Sequence, residues 1–465
     1  MKFPNFEKIL TERKISFYVL LLTLFIGACI TVSFGWAVRH VLIANYDVHV
    51  NSRLGKFGEA IVTVAEFPSM AKQALREVTV GGNQVIIDRF PDLDGFKKSG
   101  KLQMGALEDT GYLLLSSYDR NEKQSTIRLI RIKDQQTLYE WIPGHDVYTI
   151  LRDNSNKLVS QRGDPQARYR TDYRTIHPLL LQDGGMVISG SYSSPLFKLD
   201  LNSNVEWTVD GIYHHSKEKD SEGNIWLCGR IESNNKFHDD AIVNISPNGK
   251  LLYKKSVTTI FEENGFHSLL WDAVKGFSKD VIHLNDIQPA LTDSRFWKKG
   301  DLMLSMRNNS TIALYRPNTN KIIWLKTGPW KYQHDVDFIS DHEISVFGND
   351  VLDDPEGRVL NDGHNNVYLY DFTNKTVSSP YKTAMELMEV RTGTEGLSEV
   401  LSNRDVFIEE TTNGRLLRLT PDTAKWEFVR RVDKNHLSLL NWSRYLTEEQ
   451  VHELLPKLQK AGYYQ

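Results

Sequence analysis

A histidine returns at the head of successive similar segments of this 465-residue chain. His177 precedes the turn Gln182–Gly185 and the apolar run Met186–Ile188, and the pair His214–His215 precedes Ser221–Asn224 and Ile225–Leu227. His283, followed by Leu284, Asn285 and Asp286, precedes Lys299–Asp301 and Leu302–Leu304. Gln333, His334 and Asp335 precede Ser340–Glu343 and Ile344–Val346, and Arg307 lies one strand after His283. Three imidazoles, an amide and a guanidinium suit a small oxyanion. Asn and Arg donate to anionic oxygens, Arg through a planar fork. A neutral imidazole can be nucleophile or general base near neutral pH, its protonated form can be general acid, and two imidazoles can divide these roles. Three histidines can also bind zinc. Asn and Arg are poor companions for a cation, however, and no carboxylate follows at ligand spacing, so neither metal nor cofactor is expected. His177 taken alone reads as a hydrogen-bonded packing residue. His215, His283 and His334 together, with Arg307, point to function. Asp335 and Asp337 read as hydrogen-bonding groups of the turns or behind the site.

The elements that must position these residues are short strands. Each unit offers a His-bearing strand, a second strand after an Asp/Gly turn, and a hairpin. The hairpins run Leu196–Asp200 to Val205–Trp207, Ala241–Ile245 to Gly249–Tyr253, and Thr311–Tyr315 to Lys321–Trp324. They continue with Asn366–Asp371 to Thr376–Val377 and Leu416–Leu419 to Trp426–Val429. Four antiparallel strands per repeat of about 40 to 50 residues predict propeller blades. Units begin near residues 109, 177, 215, 283, 334 and 399. The expected fold is therefore all-β, a six-bladed β-propeller over residues 109–435. The first strand of each blade lines the central channel, so the starts of several blades converge.

Outside that region the pattern changes. Residues 15–38 hold no charge and are long enough to cross a hydrocarbon core of about 30 Å as a helix. Lys2, Lys8, Arg13 and Lys14 precede the run and Arg39 follows it. This predicts a single-pass signal anchor with residues 1–14 in the cytoplasm and the large C-terminal part on the periplasmic side. A cleaved signal peptide is the alternative, but the run exceeds a usual apolar core region. Ile26–Cys29 looks like a lipoprotein processing box, yet the apolar run continues through Phe34 and Trp36. Residues 39–108 are mixed, with Leu54, Phe57, Ile61, Val64 and Ala65 at helical spacing. Residues 436–465 read as a C-terminal helical extension, opened by a capping box at Thr447–Gln450 and carrying Val451, Leu454, Leu455 and Leu458.

The net charge of −3 and 25% charged residues give no dominant basic field, so a nucleic-acid partner is not expected. There are two cysteines, Cys29 in the apolar run and Cys228 in Ile225–Cys228. No disulfide can form within the soluble part, and Cys228 reads as a buried apolar residue.

The chain resembles the PAPS-independent arylsulfotransferases, the bacterial arylsulfate sulfotransferases and their relatives. The resemblance rests on Tyr213–His215, His283–Ile287, Leu304–Ile312, Gly328–Trp330 with Gln333–Asp335, and the closing Glu409–Glu410 with Gly414–Leu419. It spans roughly residues 109 to 430, and the ordered His-x-Asn, Ser-x-Arg and Gln-His set is its specific part. It implies transfer of a sulfuryl group from an aryl sulfate ester to a phenolic or other hydroxyl acceptor, without a nucleotide donor and outside the cytoplasm. By that resemblance His334 is the histidine that becomes sulfated. His283 and Arg307 bind the sulfuryl oxygens and assist departure of the phenol. Asn285 is the accompanying polar residue. His215, or else His214, is the remaining active-site histidine, and His214 otherwise contributes to substrate binding. Ping-pong kinetics follow. The family's better-known periplasmic members carry a structural disulfide, which this chain lacks. The stretch Asp293–Lys298 is insertion-like, and the apolar helix stands where those members have a plain secretory signal. The alternatives are a non-catalytic propeller that binds an anionic or sulfated glycan or a protein partner, and hydrolysis with water as acceptor.

Overall fold

The computed structural model describes residues 17–46, 60–61, 64–65, 84–87, 89–91, 93–97, 109–151, 171–190, 194–231, 237–271, 278–354 and 357–461. The chain divides into two units, Met1–Thr79 and Val80–Gln465.

The first unit holds one long helix, Phe17–Tyr46, of 30 residues. Its segment Tyr18–Val38 has 21 residues and a mean hydropathy of 2.1. At about 1.5 Å per residue that segment reaches about 31 Å, long and apolar enough to cross a membrane. Its two threonine hydroxyls donate back into the helix, Thr23 to Val19 O at 2.8 Å and Thr31 to Gly27 O at 2.9 Å. Neither threonine therefore depends on water for a partner. Most of the amphipathic stretch expected over 54–65 lies outside the described residues; 60–61 and 64–65 are helical.

The second unit is mostly antiparallel β. Leu284–Pro289, Leu302–Met306, Thr311–Arg316 and Lys321–Thr327 form one four-stranded sheet, and Asp335–Phe338, Glu343–Gly348, Asn366–Asp371 and Thr376–Ser378 a second. Leu397–Val400, Val406–Glu410, Arg415–Leu419 and Ala424–Val429 form a third, extended at its edge by Gly95–Lys97. In a fourth, Arg444–Leu446 pairs with Tyr112–Leu114 beside Gln124–Arg131 and Gln136–Trp141. The remaining large sheet has seven strands, from Thr175–Leu180 to Leu251–Ser256. The sequence reads separate strands at Val205–Trp207 and His214–His215, but one strand, Val205–Lys219, spans both. Its first half pairs with Ser194–Leu199 and its second with Ile225–Ile231, because no turn interrupts the backbone between them.

The turns follow their sequences. In Asp220–Asn224 the Asp220 carboxylate accepts from the N–H groups of Glu222 and Asn224, and Gly223 takes φ +82°. That positive φ is the reason for glycine.

Among the described residues, six apolar clusters fill the seams between neighbouring groups of strands. One joins Leu114 and Leu129 to Ile188 and Phe197, the next Val187 and Leu196 to Leu227 and Val243. The series continues with Cys228 and Ile242 against Leu302 and Leu304, then Met303 and Ile312 against Val336 and Val346. Phe347 and Val367 meet Ile408 and Leu417, and Phe407 and Trp426 meet Leu113 and Leu115, which returns to the first group. Carboxylates stitch neighbouring groups together. Asp240 accepts from Leu284 N at 2.7 Å, Asp286 from Val336 N at 3.1 Å, Asp335 from Ser398 N at 2.9 Å, and Glu409 from Trp442 N at 2.8 Å. An inner strand has unpaired N–H groups, and buried ones need an acceptor. Asp337 accepts from Gln288 Nε2 at 2.7 Å, so both aspartates beside His334 are hydrogen-bonding groups.

Two boundaries differ from the sequence reading. Residues 85–87 and 95–97, placed in a membrane-proximal segment, pair with His436–Ser438 and Ala424–Val429. Arg444–Leu446, placed in a helical extension, is a strand. The capping box does form: the Thr447 hydroxyl accepts from Gln450 N, and the Gln450 side chain from Thr447 N. The helix behind it breaks into Glu448–His452 and Leu455–Ala461, with Pro456 in the first turn of the second. Val451, Leu454 and Leu458 pack into the cluster around Leu114. Trp297 of the insertion-like stretch is buried among Phe338 and Phe372. Cys228 is buried, and burial raises its thiol pKa well above the usual value.

Candidate functional site

The recurring histidines share a backbone state. His177 has φ +44°, His215 φ +51° and His283 φ +56°. A left-handed non-glycine residue costs roughly 1–2 kcal/mol and persists where its surroundings hold it. At His177 and His215, and at Asn285 two residues past His283, the strand slips register against its neighbour. Such a bulge re-aims a side chain. Near His334 the left-handed residue is Tyr332, at φ +51°.

The geometry gathers three of the four. Ring centroids lie 5.1 Å apart for His215 and His283, 6.4 Å for His215 and His334, and 6.3 Å for His283 and His334. One nitrogen from each ring falls within 4.8 Å of the others. Each Nδ1 has a partner: His214 Nδ1 at 2.8 Å for His215, Asp280 Oδ2 at 2.5 Å for His283, and Asn349 Oδ1 at 2.6 Å for His334. Nε2 is the nitrogen that His215 and His283 have left for the common space.

The tautomer of His334 follows from its neighbours. Asn349 Nδ2 donates to Thr392 O at 3.1 Å and Glu395 O at 2.7 Å, which orients the amide. Its Oδ1 must therefore accept from His334 Nδ1–H. The backbone N–H of Glu395 lies 3.3 Å from His334 Nε2, so that nitrogen carries a lone pair. Burial, then the Arg307 charge and His283, hold the His334 pKa well below 6.5. Burial, with His214, His283, His334 and Arg307, does the same for His215. Both rings are neutral near neutral pH.

Arg307 opens a short 3-10 turn at the end of Leu302–Met306. Its N–H donates to His283 O at 3.1 Å, and its Nε donates to Asn308 Oδ1 at 3.0 Å. The guanidinium carbon stands 5.8 Å from the centre of the Tyr332 ring. His215, His283 and Arg307 are half-buried and His334 is buried, so His334 forms the floor of a partly open site. Asn285 is buried beneath it. Its Nδ2 donates to Gln333 O at 3.0 Å, while its Oδ1 has no hydrogen-bond partner among the described residues. His214 sits behind His215, with Nε2 at 3.2 Å from Gly229 O.

His177 takes another path. Its Nδ1 accepts from Lys217 N at 3.3 Å, and its Nε2 is 3.6 Å from Glu218. It meets the group through Trp442, whose ring centroid lies 5.6 Å from His177, 5.7 Å from His215 and 6.2 Å from His334.

Asp280, Asn349 and Trp442 were not singled out from the sequence. Asp280 left a signal, a carboxylate three residues before a histidine. Asn349 reaches His334 through the pairing of adjacent strands and Trp442 comes from a distant segment; neither left a signal.

The arrangement can bind a tetrahedral anion, with Arg307 as cationic donor. Three imidazoles at this spacing could also hold a divalent metal ion. The Arg307 charge beside them opposes a cation and favours an anion.

The family model that matches this chain is that of the arylsulfotransferases (ASST), over residues 177–431. No curated protein matches the chain. Among solved structures, a protein of unknown function from Bacteroides caccae is 10% identical, with a TM-score of 0.45, covering 73% of this chain and 99% of its own. Virginiamycin B lyase from Staphylococcus aureus is 13% identical with a TM-score of 0.34, covering 56% and 71%. The WD40 β-propeller domain of Doa1 is 13% identical with a TM-score of 0.36, covering 75% and 90%.

Proposed function

We propose, from the premise that this chain belongs to the arylsulfotransferase family, that it moves a sulfuryl group from an aryl sulfate ester to a hydroxyl acceptor through a sulfated His334. The observation that carries this reading is the convergence of three imidazoles, each anchored at Nδ1, beside Arg307. The His334 ring is anchored at Nδ1 and carries its lone pair on Nε2, where the long 3.3 Å contact from Glu395 N must give way to sulfur.

In the first half-reaction His334 Nε2 forms the N–S bond as the S–O bond to the aryl group breaks on the opposite side. The ring becomes cationic, and its Nδ1–H remains on Asn349 Oδ1. Arg307 and the His283 ring, held by Asp280, take the sulfuryl oxygens, where fixed donors are worth most. In the second half-reaction the acceptor oxygen attacks sulfur and the N–S bond breaks, with His215 taking the acceptor's proton. Asn285 supports the loop that carries Gln333 and His334. Two separate transfers predict ping-pong kinetics.

The reading includes a six-bladed propeller around this site. The six seams return to their start, the seven-stranded sheet is two blades sharing Val205–Lys219, and Arg444–Leu446 completes the first blade. It also includes a single membrane anchor at residues 15–38, with residues 1–14 in the cytoplasm and the site on the periplasmic side.

The test is release of 4-nitrophenol from its sulfate ester by the full-length protein, with and without phenol. Acceptor-dependent release and a sulfated His334 peptide in mass spectra are expected. His334→Ala should lower turnover by at least about 10⁴-fold while the circular dichroism is unchanged. Acceptor-independent release would mean hydrolysis. No release and no modified His334 would leave a module that binds an anionic glycan or a protein.

A further inference from the structure

His215 faces a difficulty as an acid. Burial, and crowding by His214, His283, His334 and Arg307, disfavour a positive charge on its ring. Yet a departing phenol gains a proton. The residues behind His215 offer a route. His214 Nε2 lies 3.2 Å from Gly229 O, a group that only accepts, so Nε2 carries a proton. His214 Nδ1 faces His215 Nδ1 at 2.8 Å, and one proton lies between them. Beyond His214 stands Asp240, almost wholly buried, with Oδ1 3.6 Å from His214 Nε2 and 3.5 Å from Arg230 Nε. That oxygen has no closer partner among the described residues, while Oδ2 is fixed by Leu284 N at 2.7 Å, next to His283.

We propose that Asp240, His214 and His215 form a proton relay in which the positive charge rests on His214 and never on His215. This rests on the sulfuryl-transfer reading. In the free enzyme His214 carries protons on both nitrogens. Its Nδ1–H points to His215 Nδ1, which forces the His215 proton onto Nε2, facing the site. When the S–O bond breaks, His215 Nε2–H passes to the phenolate oxygen. The His214 Nδ1 proton moves to His215 Nδ1, and both rings end neutral. The second half-reaction runs backwards: the acceptor's proton goes to His215 Nε2, and the His215 Nδ1 proton returns to His214. One proton is stored and released per cycle. Asp240 is the counter-charge that keeps His214 cationic: burial alone would raise its pKa, but His214 and Arg230 outweigh burial and lower it. Arg230 competes for the same oxygen and keeps the store from being too deep. His214 and Asp240 touch no substrate in this scheme and are positioning residues.

The test uses the full-length chain in detergent and follows the first half-reaction with two donors. The phenolate of 4-nitrophenyl sulfate leaves without a proton, whereas that of 4-methylphenyl sulfate needs one. Asp240→Asn keeps an oxygen for Leu284 N. It should change the 4-nitrophenyl rate by no more than about threefold and lower the 4-methylphenyl rate by at least about thirtyfold. His214→Gln keeps a donor for Gly229 O but cannot pass a proton, and should lower the 4-methylphenyl rate by at least about tenfold more than the 4-nitrophenyl rate. Equal loss with both donors, or no loss with either, overturns the relay while leaving the transfer reading intact. If the unaltered protein turns over neither donor, the transfer reading fails and the relay falls with it. Thermal unfolding of each variant separates a folding defect from the expected split.

Discussion

His177 and His283 hold nearly the same backbone state, φ +44° and +56°, at corresponding places in their sheets. They end in different chemistry. Both nitrogens of His177 face groups of the next strand, Lys217 N and Glu218, so its ring is tied into packing. His283 is tied at Nδ1 alone, by Asp280, and its second nitrogen is left for the common space. The repeat supplies a position from which an imidazole can reach the centre. At His283 a single partner leaves the ring available there, whereas at His177 the next strand holds the ring from both sides.

This contrast can be broken in three ways. The largest effect should come from Arg307→Ala, which removes the cation from the functional side. Turnover should fall by about 10²–10³-fold, equivalent to about 3–4 kcal/mol. Arg307→Lys should restore little, because a planar fork is replaced by a point charge. Retained turnover in both variants would remove Arg307 from the site. A smaller effect is expected in the pH profile. His334 and His215 have pKa values held well below 6.5, so the folded protein keeps them neutral where a free histidine is half protonated. The rate of sulfation should stay level as pH falls through 6.5 and drop only further into acid. An acid limb centred at 6.5 or above would contradict the neutral, buried nucleophile. The smallest effect belongs to His177→Asn. Asparagine tolerates the left-handed backbone and keeps an acceptor for Lys217 N. Turnover should stay within about threefold, with a loss of about 1 kcal/mol seen in thermal unfolding. A hundredfold loss of turnover would place His177 with the other three.

Much of this was legible in the chain. The histidine repeat, the Asp-Gly turns and the apolar strands are local signals, and each maps onto a strand or turn. Thr447–Gln450 also forms its capping box, since both partners lie within one turn. The rest depended on tertiary partners. The joining of Val205–Trp207 to His214–His215 is a property of pairing on both sides of one strand. Arg444–Leu446 is too short to announce itself as a strand and is one because Tyr112–Leu114 offers an unpaired edge. Of the anchors for the three imidazoles, His214 and Asp280 lie close to their histidines in sequence. Asn349 lies fifteen residues on, at the end of the neighbouring strand, and is brought to His334 by the pairing of Asp335–Phe338 with Glu343–Gly348.

The pairing of Arg444–Leu446 with Tyr112–Leu114 has a consequence for how the molecule is made. Synthesis runs from the N-terminus, so the strand Tyr112–Asp119 leaves the ribosome long before its partner does. Until that partner arrives the edge stays open, and Trp442, carried by the same late segment, is missing from beside His215 and His334. A chain that stops before this segment lacks both the pairing strand and Trp442. Proteins cut short by premature termination should show no residual turnover rather than a graded fraction of it.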